Sequence, residues 1–192
     1  MTATANALEI RPIAPDDKQA LLDGFERLSE QSRYRRFLAP HGALTPDEVR
    51  YFTEVDHHDH EALVAVEPAT GEGVGVARYV RFADDPTTAE MAVAVIDDWQ
   101  RRGVGTRLMN ELAQRAREEG ITRFSGLVLA DNDVMLNLLR ELGEVNVGEI
   151  EAGAVNVTVE LPETGIGHLR RLLRAIARGE LRAVPSLRNS SP

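Results

Sequence analysis

Gln100-Arg101-Arg102-Gly103-Val104-Gly105 lies between a run rich in strand formers, Thr88 to Ile96, and a long amphipathic pattern, Thr106 to Glu119. Strand, tight glycine turn and helix, in that order, gather unpaired backbone N–H groups at the positive end of the helix, where phosphate oxygens bind well. The stretch therefore predicts an α/β domain that holds a phosphate-rich cofactor at this turn. A dinucleotide-binding domain would place such glycines after its first strand, with an acidic residue about twenty positions on. Here they follow roughly the fourth strand, which argues against that fold.

Working outward, the flanking segments alternate in type, as an α/β (α+β) domain requires. Leu8 to Pro12 reads as a short strand. Asp16 is placed to cap a helix through Leu28 that carries Leu21, Leu22, Phe25 and Leu28 on one face. Ser29 to Phe37 continues as a second short helix. Thr45-Pro46-Asp47-Glu48 has the ends of a capping box with proline at the first helical position, so a third helix should run to about Thr53. Glu61 to Glu67 and Val74 to Phe82 are strand-like and separated by the turn-rich Pro68 to Gly73, which suggests a hairpin. Thr88 to Ile96 should pair next. Beyond the glycine turn come a helix ending at Gly120, a strand Arg123 to Leu129 and a helix Asp133 to Leu142 closed by Gly143. Val145 to Ile150 and Ala154 to Leu161 make a closing hairpin. After Pro162 the character changes: Ile166 to Arg178 is a basic amphipathic pattern and Val184 to Pro192 resembles a frayed tail. The expected division is a domain over residues 1–164 and a basic helix and tail over 165–192.

The 192 residues, 43% hydrophobic, suit one domain with a substantial core. No run of eighteen apolar residues is present, and Met1 to Ala7 lacks the basic start of a signal peptide, so a cytoplasmic protein without membrane association is expected. The chain has no cysteine, which excludes disulfides, thiolate metal sites and a cysteine nucleophile. Net charge is −9, yet residues 165–192 hold six Arg against one Glu, leaving the rest at −14. An acidic body disfavours nucleic acid and suits a basic protein surface or a cationic amine.

Gln100 to Gly105 matches the Gln/Arg-x-x-Gly-x-Gly/Ala signature of the GNAT superfamily of acyl-CoA-dependent N-acyltransferases, and the element order from Leu8 to Leu161 matches too. Within it, Asp97-Asp98-Trp99-Gln100, Arg123 to Asn132 and the segment from Val55 to Ala65 look most like bacterial protein-lysine acetyltransferases, in which such a domain can be fused to a regulatory one. The resemblance implies a GNAT fold: a mixed, mostly antiparallel central sheet flanked by helices, here with an added C-terminal basic helix. It implies acetyl-CoA as cosubstrate, no metal, and an acceptor that is a protein lysine or a small amine. A monomer and a homodimer both stay open.

The resemblance places the coenzyme pyrophosphate on Arg101, Arg102, Gly103, Val104, Gly105 and Thr106, with Gln100 also among the cofactor-binding residues. The glycines allow close backbone approach and the helix start carries about half a positive charge. The strand Thr88 to Ile96 alternates Glu90, Ala92, Ala94 with Met91, Val93, Val95. In the family this strand pairs with the pantetheine arm and a backbone N–H polarises the thioester carbonyl, which implicates Val93, Ala94 and Val95. Glu90 matches the position of a glutamate general base and is expected to be a semi-buried carboxylate with a raised pKa. Asn132 resembles a coenzyme-contacting asparagine, though capping its own helix explains it nearly as well.

Two departures stand out. Seven residues after Asn132, where many members carry a tyrosine that protonates the leaving thiolate, this chain has Leu139. Glu144 replaces the phenylalanine common after the terminal glycine of that helix. The cluster His57-His58-Asp59-His60-Glu61 has the residue types of a metal site, but neighbours in an extended loop point apart. Asp56, His57 and His58 are better read as lining an acceptor mouth or as a solvated loop.

Overall fold

The computed structural model describes residues 8–162, and the basic helix and tail expected beyond Pro162 lie outside them. Seven strands form one sheet in the order β1-β2-β3-β4-β5-β7-β6: β1 (Glu9–Pro12), β2 (His60–Val66), β3 (Gly73–Arg81), β4 (Thr88–Val95), β5 (Arg123–Leu129), β6 (Glu144–Glu151) and β7 (Ala154–Glu160). Every pairing is antiparallel except β4 with β5. Helices α1 (Lys18–Glu26), α2 (Glu30–Phe37) and α3 (Pro46–Thr53) precede β2, while α4 (Val104–Glu118) and α5 (Asp133–Leu142) flank β5. This is the mixed, mostly antiparallel sheet with flanking helices that the family resemblance implies.

Residue pairing fixes which face meets which helix. Ala65, Gly75 and Val95 are paired across three strands, and the Leu108 side chain of α4 packs against this row. Val64, Val76 and Ala94 form the next row, facing the opposite way toward α1 and α2. Helix α4 presents Leu108, Met109, Leu112, Ala113 and Ala116 at helical spacing, all fully buried. Each of the larger side chains contributes about 1.5–3 kcal/mol of burial. Phe124, Val128, Val155, Val157 and Val159 extend the same core under β5 and β7.

The capping box at Thr45 is formed as expected: the Thr45 hydroxyl accepts from Glu48 N–H and the Glu48 carboxylate accepts from Thr45 N–H. The start of α1 differs. Pro15–Asp17 makes a single 3-10 turn, so the helix begins at Lys18 and ends at Glu26. Asp16 does not cap it. Asp17 is instead engaged by the Arg11 guanidinium at 2.7 and 2.8 Å and by Ala14 N–H at 2.7 Å, bonds that turn its carboxylate back toward β1.

Candidate active site

β4 and β5 run parallel for only three residue pairs, ending at Glu90 with Ser125, although β4 continues to Val95. Ile96 N–H bonds to Val74 of β3 and Thr88 C=O accepts from Phe82, so by strand alternation the main-chain groups of Met91, Val93 and Val95 face the β5 side. Past Glu90 no strand pairs with them. Gly126 marks the parting point: a β-carbon there would come within 2.9 Å of the Met91 side chain. The strands therefore diverge into a cleft of about 610 Å³, lined by the β4 edge, the glycine turn and the start of α5.

The turn closes one end of this cleft. Gly103 caps α4 from the left-handed region at φ 80°, and Arg101 also has positive φ at 57°. No side chain caps the helix, and the first intrahelical bond recorded runs from Arg107 N–H to Gly103 C=O at 3.0 Å. The N–H groups of Val104, Gly105 and Thr106 thus have no helical acceptor. A β-carbon on Gly105 would sit 3.1 Å from Leu138, so only glycine leaves the backbone bare here. Gln100, Arg101, Gly103, Val104, Gly105 and Thr106 line the cleft, as do Val93, Ala94 and Val95. Arg102 is not among its lining residues; its guanidinium lies 5.2 Å over the Trp99 ring. Main-chain groups of Val93 and Val95 face the cleft, whereas those of Ala94 face β3 and only its small side chain borders the space.

Glu90 stands at the opposite end, where β4 and β5 part. Its side chain is exposed rather than semi-buried, and Glu90 is the last residue of β4 to pair with β5. Helix α2 approaches along the same wall, bringing Ser32, Arg35 and Arg36. Asp97 holds that helix in place, accepting from Ser29 N–H at 3.0 Å, Ser29 hydroxyl at 2.8 Å and Ser32 hydroxyl at 3.1 Å. Burial pulls the Asp97 pKa upward, but these bonds outweigh it and hold it below the ordinary value. The Gln100 amide completes the latch, donating to Ser32 Oγ and Val95 C=O at 3.0 Å each. This Ser29, Ser32 and Asp97 set was missed from sequence, since its members lie 65 to 68 residues apart.

Asn132 lines the cleft and also caps α5, accepting from Met135 N–H at 3.2 Å. Leu139 is fully buried in the core and does not line the cleft. Among the described residues no tyrosine lines the cleft: Tyr34 and Tyr51 are exposed, and Tyr79 is buried, donating to His58 C=O. Burial, with the negative charge of Glu61, pushes Tyr79 up to about 12. The three histidines of the loop go to separate partners: His57 to Glu61, His58 to Glu119 and His60 to Arg78. Asp56, His57 and His58 do not line the cleft. Among the described residues no group of three His, Cys, Asp or Glu is placed to hold a metal ion, and no helix is long and apolar enough to cross a membrane.

Known proteins share this architecture. The acetyltransferase (GNAT) family model matches residues 25–143. Acetyltransferase Pat of Mycolicibacterium smegmatis is 38% identical over 156 residues, 80% of this chain and 45% of that protein, so the chain spans about half the length of this relative. The solved GNAT domain of S. lividans PAT is 34% identical with a TM-score of 0.74, covering 80% of this chain and 90% of that one. A Salmonella typhimurium protein solved with its cofactor acetyl-CoA shares the fold at 19% identity and a TM-score of 0.65, over 83% of this chain and 97% of that one. Family match, close sequence relatives and the splayed β4 and β5 over a bare glycine turn agree, and the chain belongs to the GNAT family of acetyltransferases.

Proposed function

We propose that the chain moves an acetyl group from acetyl-CoA to a primary amine, with a protein lysine as the favoured acceptor and Glu90 as general base. The observation that carries this reading is the cleft itself: an unpaired β4 edge leads from bare helix N–H groups at Gly105 to a carboxylate at Glu90. The residues fit a coenzyme A arm. Val104, Gly105 and Thr106 would hold the pyrophosphate through N–H groups at the positive helix end, with Arg101 adding charge. The β4 edge from Met91 to Val95 would pair with the amide-bearing pantetheine as another strand would. Arg102, engaged with Trp99, would contribute less.

Acetyl-CoA supplies an activated acyl carbon and a thiolate leaving group. The chain's own residues supply orientation and proton transfer. N–H groups of Val93 or Val95 would stabilise negative charge developing on the carbonyl oxygen. A lysine amine with pKa near ~10.4 is neutral in roughly one molecule per thousand at neutral pH, so Glu90 takes a proton from it, directly or through a water. The amine nitrogen then bonds to the acyl carbon as the carbon–sulfur bond breaks. A thiol with pKa around ~8.5 leaves tolerably well as the anion, so the buried Leu139 in place of a tyrosine does not forbid turnover. The acidic charge of residues 1–164 suits a basic acceptor, such as a lysine-bearing protein surface.

Thiol release from acetyl-CoA, with lysine-containing proteins offered, tests the reading. Glu90→Gln should lower kcat by about 10²- to 10⁴-fold at neutral pH and recover partly at high pH, where the amine deprotonates unaided. Unchanged turnover at both pH values would remove Glu90 as base. Tight acetyl-CoA binding with no acceptor, protein or small amine, supporting turnover would favour a non-catalytic acyl-CoA-binding module.

A further inference from the structure

Behind the acyl end of the cleft lies a second, smaller cavity of about 80 Å³, several times the ~10–15 Å³ that one water needs. Leu28, Arg36, Phe37 and Ala94 line both spaces, so the cavity adjoins the cleft across a shared wall. Its walls are mostly apolar, from α1, from Leu44 and from the Val64, Val76, Ala94 row of the sheet. Two of its lining residues are arginines. Arg78 pairs with Ala92 in the β3 to β4 register, and Ala92 lies on the same face of β4 as Glu90, one step nearer the cofactor turn.

These two cations lack the partners that buried charge normally requires. Arg78 is 5% exposed; it donates to Phe52 C=O, contacts His60 Nε2 at 3.1 Å and lies 4.3 Å over the Phe52 ring. Arg36 is partly buried and lies over Phe37 at 4.9 Å and over the same Phe52 ring at 5.9 Å. Among the described residues neither forms an ion pair with a carboxylate. Asp17 borders the cavity but is held by Arg11 at 2.7 Å. Glu90 acts on Arg36 electrostatically without pairing, so the corner holds two cations to one carboxylate. Burial and the like charge of Arg36 push Arg78 down to about 9, and burial lowers Arg36 too, against the pull of Glu90 and Tyr51. Both guanidinium groups remain charged at neutral pH.

We infer that Arg36 and Arg78 form a carboxylate-binding subsite at the end of the acyl channel, so that the cleft accepts a dicarboxylic acyl thioester whose distal carboxylate sits between them. Apolar walls would hold the methylene carbons and the guanidinium pair would neutralise the terminal charge. A carboxylate on the acceptor amine has the same chemistry. The donor is favoured because the cavity is small, mostly apolar and shares Arg36 and Ala94 with the cleft. This inference rests on the coenzyme A reading above.

Calorimetric titration of the full chain with succinyl-, butyryl- and acetyl-CoA separates the possibilities, because succinyl and butyryl tails have equal length and differ in charge. Wild type should bind succinyl-CoA about ten-fold or more tighter than butyryl-CoA. That ratio should fall to about one in Arg78→Gln, and also in Arg36→Gln, the less buried position, should Arg78→Gln fail to fold. Equal affinity for the two C4 thioesters in wild type, or a ratio that survives both substitutions, would overturn the subsite. A donor ratio near one, with Arg36→Gln raising KM only for acceptors bearing a carboxylate beside the amine, would assign the pair to the acceptor and overturn the donor assignment. Failure of all three thioesters to bind would remove the coenzyme A reading itself.

Discussion

His60 lies between the Asp56 turn, which accepts its N–H at 2.9 Å, and the buried Arg78, 3.1 Å from its Nε2. Burial, reinforced by the Arg78 charge, lowers its pKa to about 4. The unfolded chain protonates this imidazole near its ordinary value of 6.5, whereas the folded chain resists until about 4. Acid therefore favours the unfolded state: the stability is present above pH 6.5 and is lost as pH falls from 6.5 toward 4. The urea midpoint of wild type should fall across that window, and His60→Phe should flatten the fall. Asp17 and Asp97, held low by hydrogen bonds, lose their contribution below the ordinary value of 3.8, under the lower edge of this window. A midpoint constant between pH 7 and 4.5 in wild type would show that His60 is not held neutral. None of this is legible from His57-His58-Asp59-His60-Glu61 as a string, because Arg78, the charged neighbour of His60, arrives from β3.

Elements were read well where their signals are local. The Thr45 capping box, the strand from Arg123 to Leu129 and the helix from Asp133 to Leu142 follow from caps, glycines and periodicity within a few residues. The start of α1 was misplaced because Asp17, the neighbour of the expected cap, is drawn to Arg11. Glu90 is exposed where a semi-buried side chain was expected, because strand alternation assigns a face and says nothing of how far that face is covered. The latch from Asp97 to α2 is likewise a long-range fact. Asp97→Ala removes the acceptor of three hydrogen bonds at the protein surface, and about 1 kcal/mol of stability should go with it, read by denaturant unfolding. No loss would mean that α2 is positioned by packing alone.

Across the molecule, the short parallel contact between β4 and β5 is what opens the proposed coenzyme cleft. A fully zipped sheet would satisfy every backbone group of β4; stopping the ladder at Glu90 leaves an edge for an extended, amide-bearing ligand and puts a carboxylate at its end. Helix α4 then points its bare N-terminus at the far end of the same edge. The glycine turn after the fourth strand was legible in the sequence, while the arginine pair became visible only when α2 and β3 met. The most direct test of the account is the dissociation constant of acetyl-CoA for wild type and Gly105→Val. A valine side chain would meet Leu138 and cover the N–H groups that are to hold the pyrophosphate. With the variant still folded by circular dichroism, binding should weaken about ten-fold or more; an unchanged dissociation constant would contradict the claim that this turn seats the coenzyme.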